Sequence, residues 1–71
     1  MNKLEELQHL ERAEADIAAA GARIQRQMEL IAHLEGRGHD ASAAKSVLQT
    51  MRDSHRLMED HRALIMKELA R

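Results

Sequence analysis

Leu10, Ile17, Ile24 and Ile31 recur at seven-residue intervals without a gap, and further along Ala44, Met51, Met58 and Ile65 do the same. Seven residues bring an α-helix back to nearly the same face, so each series marks one row of a helix–helix seam. A second row accompanies each. On the first segment we read it as Leu7, Glu14, Gly21 and Met28, and on the second as Leu48, His55, Arg62 and Leu69. Strands would demand a period of two and β-branched or aromatic runs, and this chain has no Phe, Trp or Tyr and a single Val.

One stretch punctuates the repeat, Gly36-Arg37-Gly38-His39-Asp40, and no Pro occurs anywhere. Asn2 is placed to cap the first helix, with Glu5 three residues on to complete a capping box. Gly36 is expected to end that helix in the left-handed conformation, and Asp40 to cap the next one. A connection this short forces antiparallel neighbours. The sequence therefore predicts an all-α, coiled-coil-like antiparallel two-helix hairpin as one unit over residues 1–71. Its helices are expected over about 3–35 and 40–70, with the turn over about 36–39.

Folding the chain at that turn aligns positions whose numbers add to 75 or 76. Ile31 then meets Ala44, Met28 meets Leu48, Ile24 meets Met51, Ile17 meets Met58, Leu10 meets Ile65, and Leu7 meets Leu69. Two layers depart from apolar pairs. Glu14 falls opposite Arg62, an ion pair, and Gly21, the only mid-helix glycine, falls opposite His55, the one ring in the seam. Two coincidences in one register support it beyond periodicity alone.

Such a hairpin leaves apolar residues over. Ala13, Ala20 and Leu34 on the first helix and Val47, Leu57 and Leu64 on the second are the candidates for a further helix contact. The chain has no cysteine to staple it, and cores this small seldom supply more than about 3–5 kcal/mol. The expectation is a homodimer in which two hairpins form a four-helix bundle. The two halves also differ in charge, −3 over residues 1–35 and +2 over residues 36–71, which suits them to pack on each other.

Chemistry has little to stand on. The five histidines lie at positions 9, 33, 39, 55 and 61, and no two share the three- or four-residue spacing of a helical metal site. His33, His39 and Asp40 could converge at the turn, and His55 with Glu59 or Glu6 with His9 supplies two ligands, an incomplete set. Solvated turn residues and a seam histidine are the ordinary readings, so no metal or other cofactor is expected. A Leu/Ile/Met seam offers no concave, desolvated site for acid–base work, so no enzyme is expected either. Arg52, Arg56 and Arg62, or Arg23, Arg26 and Arg37, could meet nucleic acid, but the first set is interleaved with Asp53, Glu59 and Asp60 and no aromatic is available to stack on bases. The methionines at 28, 51 and 58 sit on seam rows, where packing accounts for them before any partner groove does.

The stretch RIQRQMELIAHLEGRGHDASAAKSVLQTM, residues 23–51, resembles short bacterial helical-hairpin proteins of unknown function. The shared pattern is Gln27 ahead of Leu30, Ile31 and Leu34, then the turn Gly38-His39-Asp40, then Ala44 and Leu48. The resemblance implies the hairpin and carries no assigned activity. The charged start MNKLEELQHLERAE lacks an apolar signal core, and no long apolar run could span a membrane, so a cytoplasmic place is the default expectation. The sequence thus points to a non-enzymatic, self-associating helical interaction or adaptor module, with another helical protein as a further partner class. A small nucleic-acid-binding regulator and a histidine-based metal-binding bundle are the alternatives.

Overall fold

The computed structural model describes residues 2–71; Met1 of the expected unit lies outside them. Two helices, α1 (Lys3–Gly36) and α2 (Ser42–Leu69), lie side by side as a hairpin with extents of 54 × 15 × 13 Å. Asn2 caps α1 from extended backbone, its Oδ1 accepting the Glu5 N–H at 2.8 Å, and Glu5 and Glu6 occupy the first turn, where the helix dipole favours carboxylates.

The turn differs from expectation in which glycine does the work. Gly36 is an ordinary last helical residue, and Gly38 carries the positive φ of 72°. The N–H of His39 returns to the Leu34 carbonyl at 2.8 Å and that of Gly38 to the Glu35 carbonyl at 3.0 Å. That nested pair is a Schellman motif, and it requires its left-handed residue two positions later than Gly36. Asp40 is likewise displaced from the expected cap position. Ala41 stands there, and the Asp40 carboxylate reaches over it to accept from the Ser42 N–H at 2.9 Å and the Ser42 hydroxyl at 2.6 Å. The shift frees Ala41 to be buried beneath Ile31 and Leu48, with Ile24, Leu34 and Ala44 packed around them.

The register places positions adding to 75 at one level, but the second row of α1 is not Leu7, Glu14, Gly21 and Met28. The buried and half-buried residues of α1 are Leu10, Ile17, Ile24 and Ile31 together with Glu6, Ala13, Ala20, Gln27 and Leu34. Gly21 is half-buried beside them, whereas Leu7 and Met28 stay 50% and 41% exposed and Glu14 is exposed. Consequently Ala13, Ala20 and Leu34, expected on an outer face, belong to the hairpin's own core. The physical reason is size. Across from the bulky His55 and Arg62 of α2 the chain sets Ala20 and Ala13, and across from Ala41 and Ala44 it sets Leu34 and Ile31. Alternating large and small side chains lets the two helices interdigitate along their length. On α2 the rows are those expected, Ala44, Met51, Met58 and Ile65 with Leu48, His55, Arg62 and Leu69, all buried or half-buried.

Substitution separates the two turn glycines. Gly38→Ala places a Cβ at φ 72° and should cost about 1–2 kcal/mol. Gly36→Ala sits in helical backbone with nothing within 4 Å of the new Cβ and should be neutral or stabilise by up to about 1 kcal/mol. Thermal unfolding of the two variants checks this, and the reverse order would place the left-handed residue wrongly.

Candidate functional site

The narrow seam divides the molecule's long surface into two sides of different chemistry. One side carries the row Leu7, Glu14, Gly21, Met28 and Glu35 of α1. From this row come the cross-helix polar contacts made between side chains. The Lys45 ammonium lies 2.8 Å from Glu35 Oε2, Arg62 donates through Nε and Nη2 to Glu14 Oε2 at 3.3 and 3.1 Å, and Arg52 Nη2 lies 3.7 Å from Met28 Sδ. The groove here runs past Glu14, Ile17, Ala18, Glu59, Asp60 and Arg62 and is crossed by the Glu14–Arg62 pair.

His55 and Arg62 explain why Ala20 and Ala13 are small. Arg62 crosses Ala13 with its apolar stem and His55 crosses Ala20 with its ring, and each delivers a polar end to the flank, Arg62 to Glu14 and His55 through Nδ1 to Glu59 Oε1 at 2.8 Å. Gly21 lies beside His55, but a Cβ there would stand 3.9 Å from Nε2, an ordinary contact. The histidine is accommodated by Ala20 and does not require glycine next to it.

The opposite side has no cross-helix ion pair among the described residues. A groove of about 240 Å³ opens there near the middle of the rod, with Ala20, Met51 and Met58 at its floor and Arg23, Thr50 and Ser54 at its walls. Above it stand the most exposed large apolar side chains of α2, Leu57 at 69%, Leu64 at 63% and Val47 at 49%. Those three expected outer-face residues are solvent-exposed, in contrast to Ala13, Ala20 and Leu34. Toward the chain ends the same side holds a second hollow bounded by His9, Arg12, Ala13, Asp16 and His61.

Two polar residues that the sequence pattern did not place on the seam lie there. Gln27, level with Leu48, donates from Nε2 to the Ala44 carbonyl at 3.0 Å, a side-chain anchor between the helices. Glu6, level with Leu69, is only 6% exposed, and its Oε1 has no hydrogen-bond partner, with His9 Nδ1 3.6 Å away. The signal that could have found both is the seven-residue series 6, 13, 20, 27, 34, which hides because Glu, Ala and Gln fill four of its five places.

Of the candidate ligand sets, the pairs His55–Glu59 and Glu6–His9 are brought together at 2.8 and 3.6 Å, and neither gains a third member. Among the described residues no three His, Cys, Asp or Glu side chains cluster as a metal site would need, so His33, His39 and Asp40 do not converge. Of the α2 arginines, Arg56 is paired with Asp53 at 3.1 Å, Arg62 with Glu14, and Arg52 is turned to Met28. Among the described residues no helix is long and apolar enough to cross a membrane. No protein-family model, no curated protein and no solved structure matches the chain.

Electrostatics concentrates at the turn. The hydrogen bond from the Ser42 hydroxyl, and then that from the Ser42 N–H, holds the Asp40 carboxyl below the ordinary carboxylate value. The hydrogen bond to Glu35 raises Lys45 above the ordinary lysine value. A depressed carboxyl stabilises the fold above its unfolded pKa, near 3.9, and loses that contribution as pH falls through the folded value. The stability gap between wild type and Asp40→Asn should therefore be widest above about pH 4 and close on acidification. Urea titrations at several pH values measure it, and a gap independent of pH would show that the charge is idle.

The Glu14–Arg62 pair gives a second check. Both side chains are partly exposed, 49% and 38%, so coupling should amount to only about 0.2–1 kcal/mol. Glu14→Arg should lower stability and adding Arg62→Glu should recover part of the loss. Additive effects in the double-mutant cycle would mean that the two groups do not interact in solution.

Proposed function

We propose that this chain is a non-enzymatic helical interaction module that works as a self-associated unit, two hairpins joined into a four-helix bundle. The observation that carries the reading is the mismatch between mass and surface. A folded monomer of 8.1 kDa is expected to expose about 4,500 Å² from the general size scaling. This hairpin exposes 5379 Å². The excess, about 900 Å², is close to the ~800 Å² that each partner contributes to a standard interface.

The thinness of the core supports the same reading. Ala13, Ala20, Ile31, Ala41, Leu48 and Ile65 are the buried apolar residues among those described, and no large side chain is fully enclosed. Three of the six are alanines, which contribute little apolar area each. A rod with one seam and a row of Val47, Leu57 and Leu64 outside it has more to gain from a second layer than from anything within itself. The helix faces offer grooves rather than an enclosed cavity, which suits recognition of another helix over turnover of a small molecule.

Thermal unfolding tests the proposal. The midpoint should rise with protein concentration, because association stabilises the folded form by mass action. Leu57→Lys with Leu64→Lys should abolish that dependence and lower the midpoint at every concentration. A wild-type midpoint independent of concentration over two decades would remove the proposal.

A further inference from the structure

The two sides of the hairpin do not compete equally for a partner. Side chains on the Glu14 side already satisfy one another across the seam through Glu35–Lys45 and Glu14–Arg62. The groove on that side is the larger, about 540 Å³ against about 240 Å³, but the Glu14–Arg62 pair crosses it, whereas no ion pair among the described residues crosses the groove lined by the seam methionines Met51 and Met58 on the other side. We propose that this open side is the surface on which a second copy of the chain docks, antiparallel, about a two-fold axis at the middle of the rod. This deepens the self-association reading and rests on it.

Three independent alignments fix the arrangement. The midpoint of α1 falls between Ala19 and Ala20 and that of α2 between His55 and Arg56, and the seam register puts both at one level. A two-fold axis at that level therefore gives full overlap of both helices at once. The same axis brings the outer row of α2 into register with itself, Leu64 of the second copy against Val47 and Leu57 of the second copy against Ser54. Leu57, the most exposed large apolar residue, is then the knob that enters the groove over Ala20, Met51 and Met58. The third alignment is electrostatic. Among the described residues Asp16 and Arg23 have no ion-pair partner within the hairpin, and the axis sets Asp16 of each copy opposite Arg23 of the other, twice by symmetry. Arg12 and Arg26 fall on the outer edge of the contact, where solvent screens their mutual repulsion.

The natural chain has no cysteine, so paired cysteines report this geometry directly. Val47→Cys with Leu64→Cys should oxidise to a covalent dimer in high yield. Within one chain the two thiols are separated by about 25 Å of helix and cannot close on each other. Both positions are exposed in the hairpin, so the variant keeps its fold. Lys45→Cys with Met66→Cys places the equivalent pair on the ion-paired side and should stay monomeric on denaturing gels. A charge exchange supplies the second readout, in which Asp16→Arg raises the dissociation constant roughly tenfold and adding Arg23→Asp restores it.

Sedimentation of the same samples separates the possible failures. A dimeric mass with cross-linking through 45 and 66, or through neither pair, overturns the docking surface while self-association stands. Cross-linking of Val47→Cys alone overturns the antiparallel arrangement. A monomeric mass at tens of micromolar, with no cross-link in either pair, overturns the surface and the self-association reading together.

Discussion

Contact between the row Glu6, Ala13, Ala20, Gln27, Leu34 and the facing residues of α2 sets everything else in this molecule. Because two of its members are alanine, α2 can present His55 and Arg62 inward and still approach closely. The His55 ring and the Arg62 stem cover the seam, and their polar ends are received by Glu59 and Glu14. The asymmetry of the whole rod follows. One flank is stitched by ion pairs among Leu7 and Met28, and the other carries Val47, Leu57 and Leu64 beside a groove that no ion pair among the described residues crosses.

Polar groups inside a narrow seam also define its register. A slip of one heptad would leave most apolar pairs apolar, since Leu, Ile and Met recur along the series. It would break the Gln27 bond to the Ala44 carbonyl, part Glu14 from Arg62, and drive His55 away from Ala20. Buried polar residues that can be satisfied in one alignment alone are a known way of selecting that alignment at some cost in stability. Glu6 shows the cost. It takes a seam position in the first turn of α1, where the helix dipole favours its charge, yet one carboxylate oxygen is enclosed without a hydrogen-bond partner.

The hairpin, its antiparallel register and the α2 rows were legible in the sequence because apolar residues recur there every seven positions. The Glu14–Arg62 contact was legible too, since opposite charges met when the chain was folded at the turn. What was not legible was the second row of α1. Leu7 and Met28 look like seam residues by hydropathy, while Glu6 and Gln27 look like surface, and hydropathy does not encode the volume match that brings Ala13 and Ala20 against Arg62 and His55. The same blindness assigned those alanines to an outer face. At the turn, two glycines two residues apart fit the pattern equally, and the choice of Gly38 over Gly36 depends on burying Ala41 beneath Ile31 and Leu48.

The hairpin has a single seam and leaves Val47, Leu57 and Leu64 exposed, and the proposal that a second copy covers them is the claim on which the functional reading turns. Sedimentation equilibrium of the unmodified chain at tens of micromolar measures it most directly. The account predicts a mass near twice 8.1 kDa. A mass of 8.1 kDa across that range, with the helices intact by circular dichroism, would contradict it.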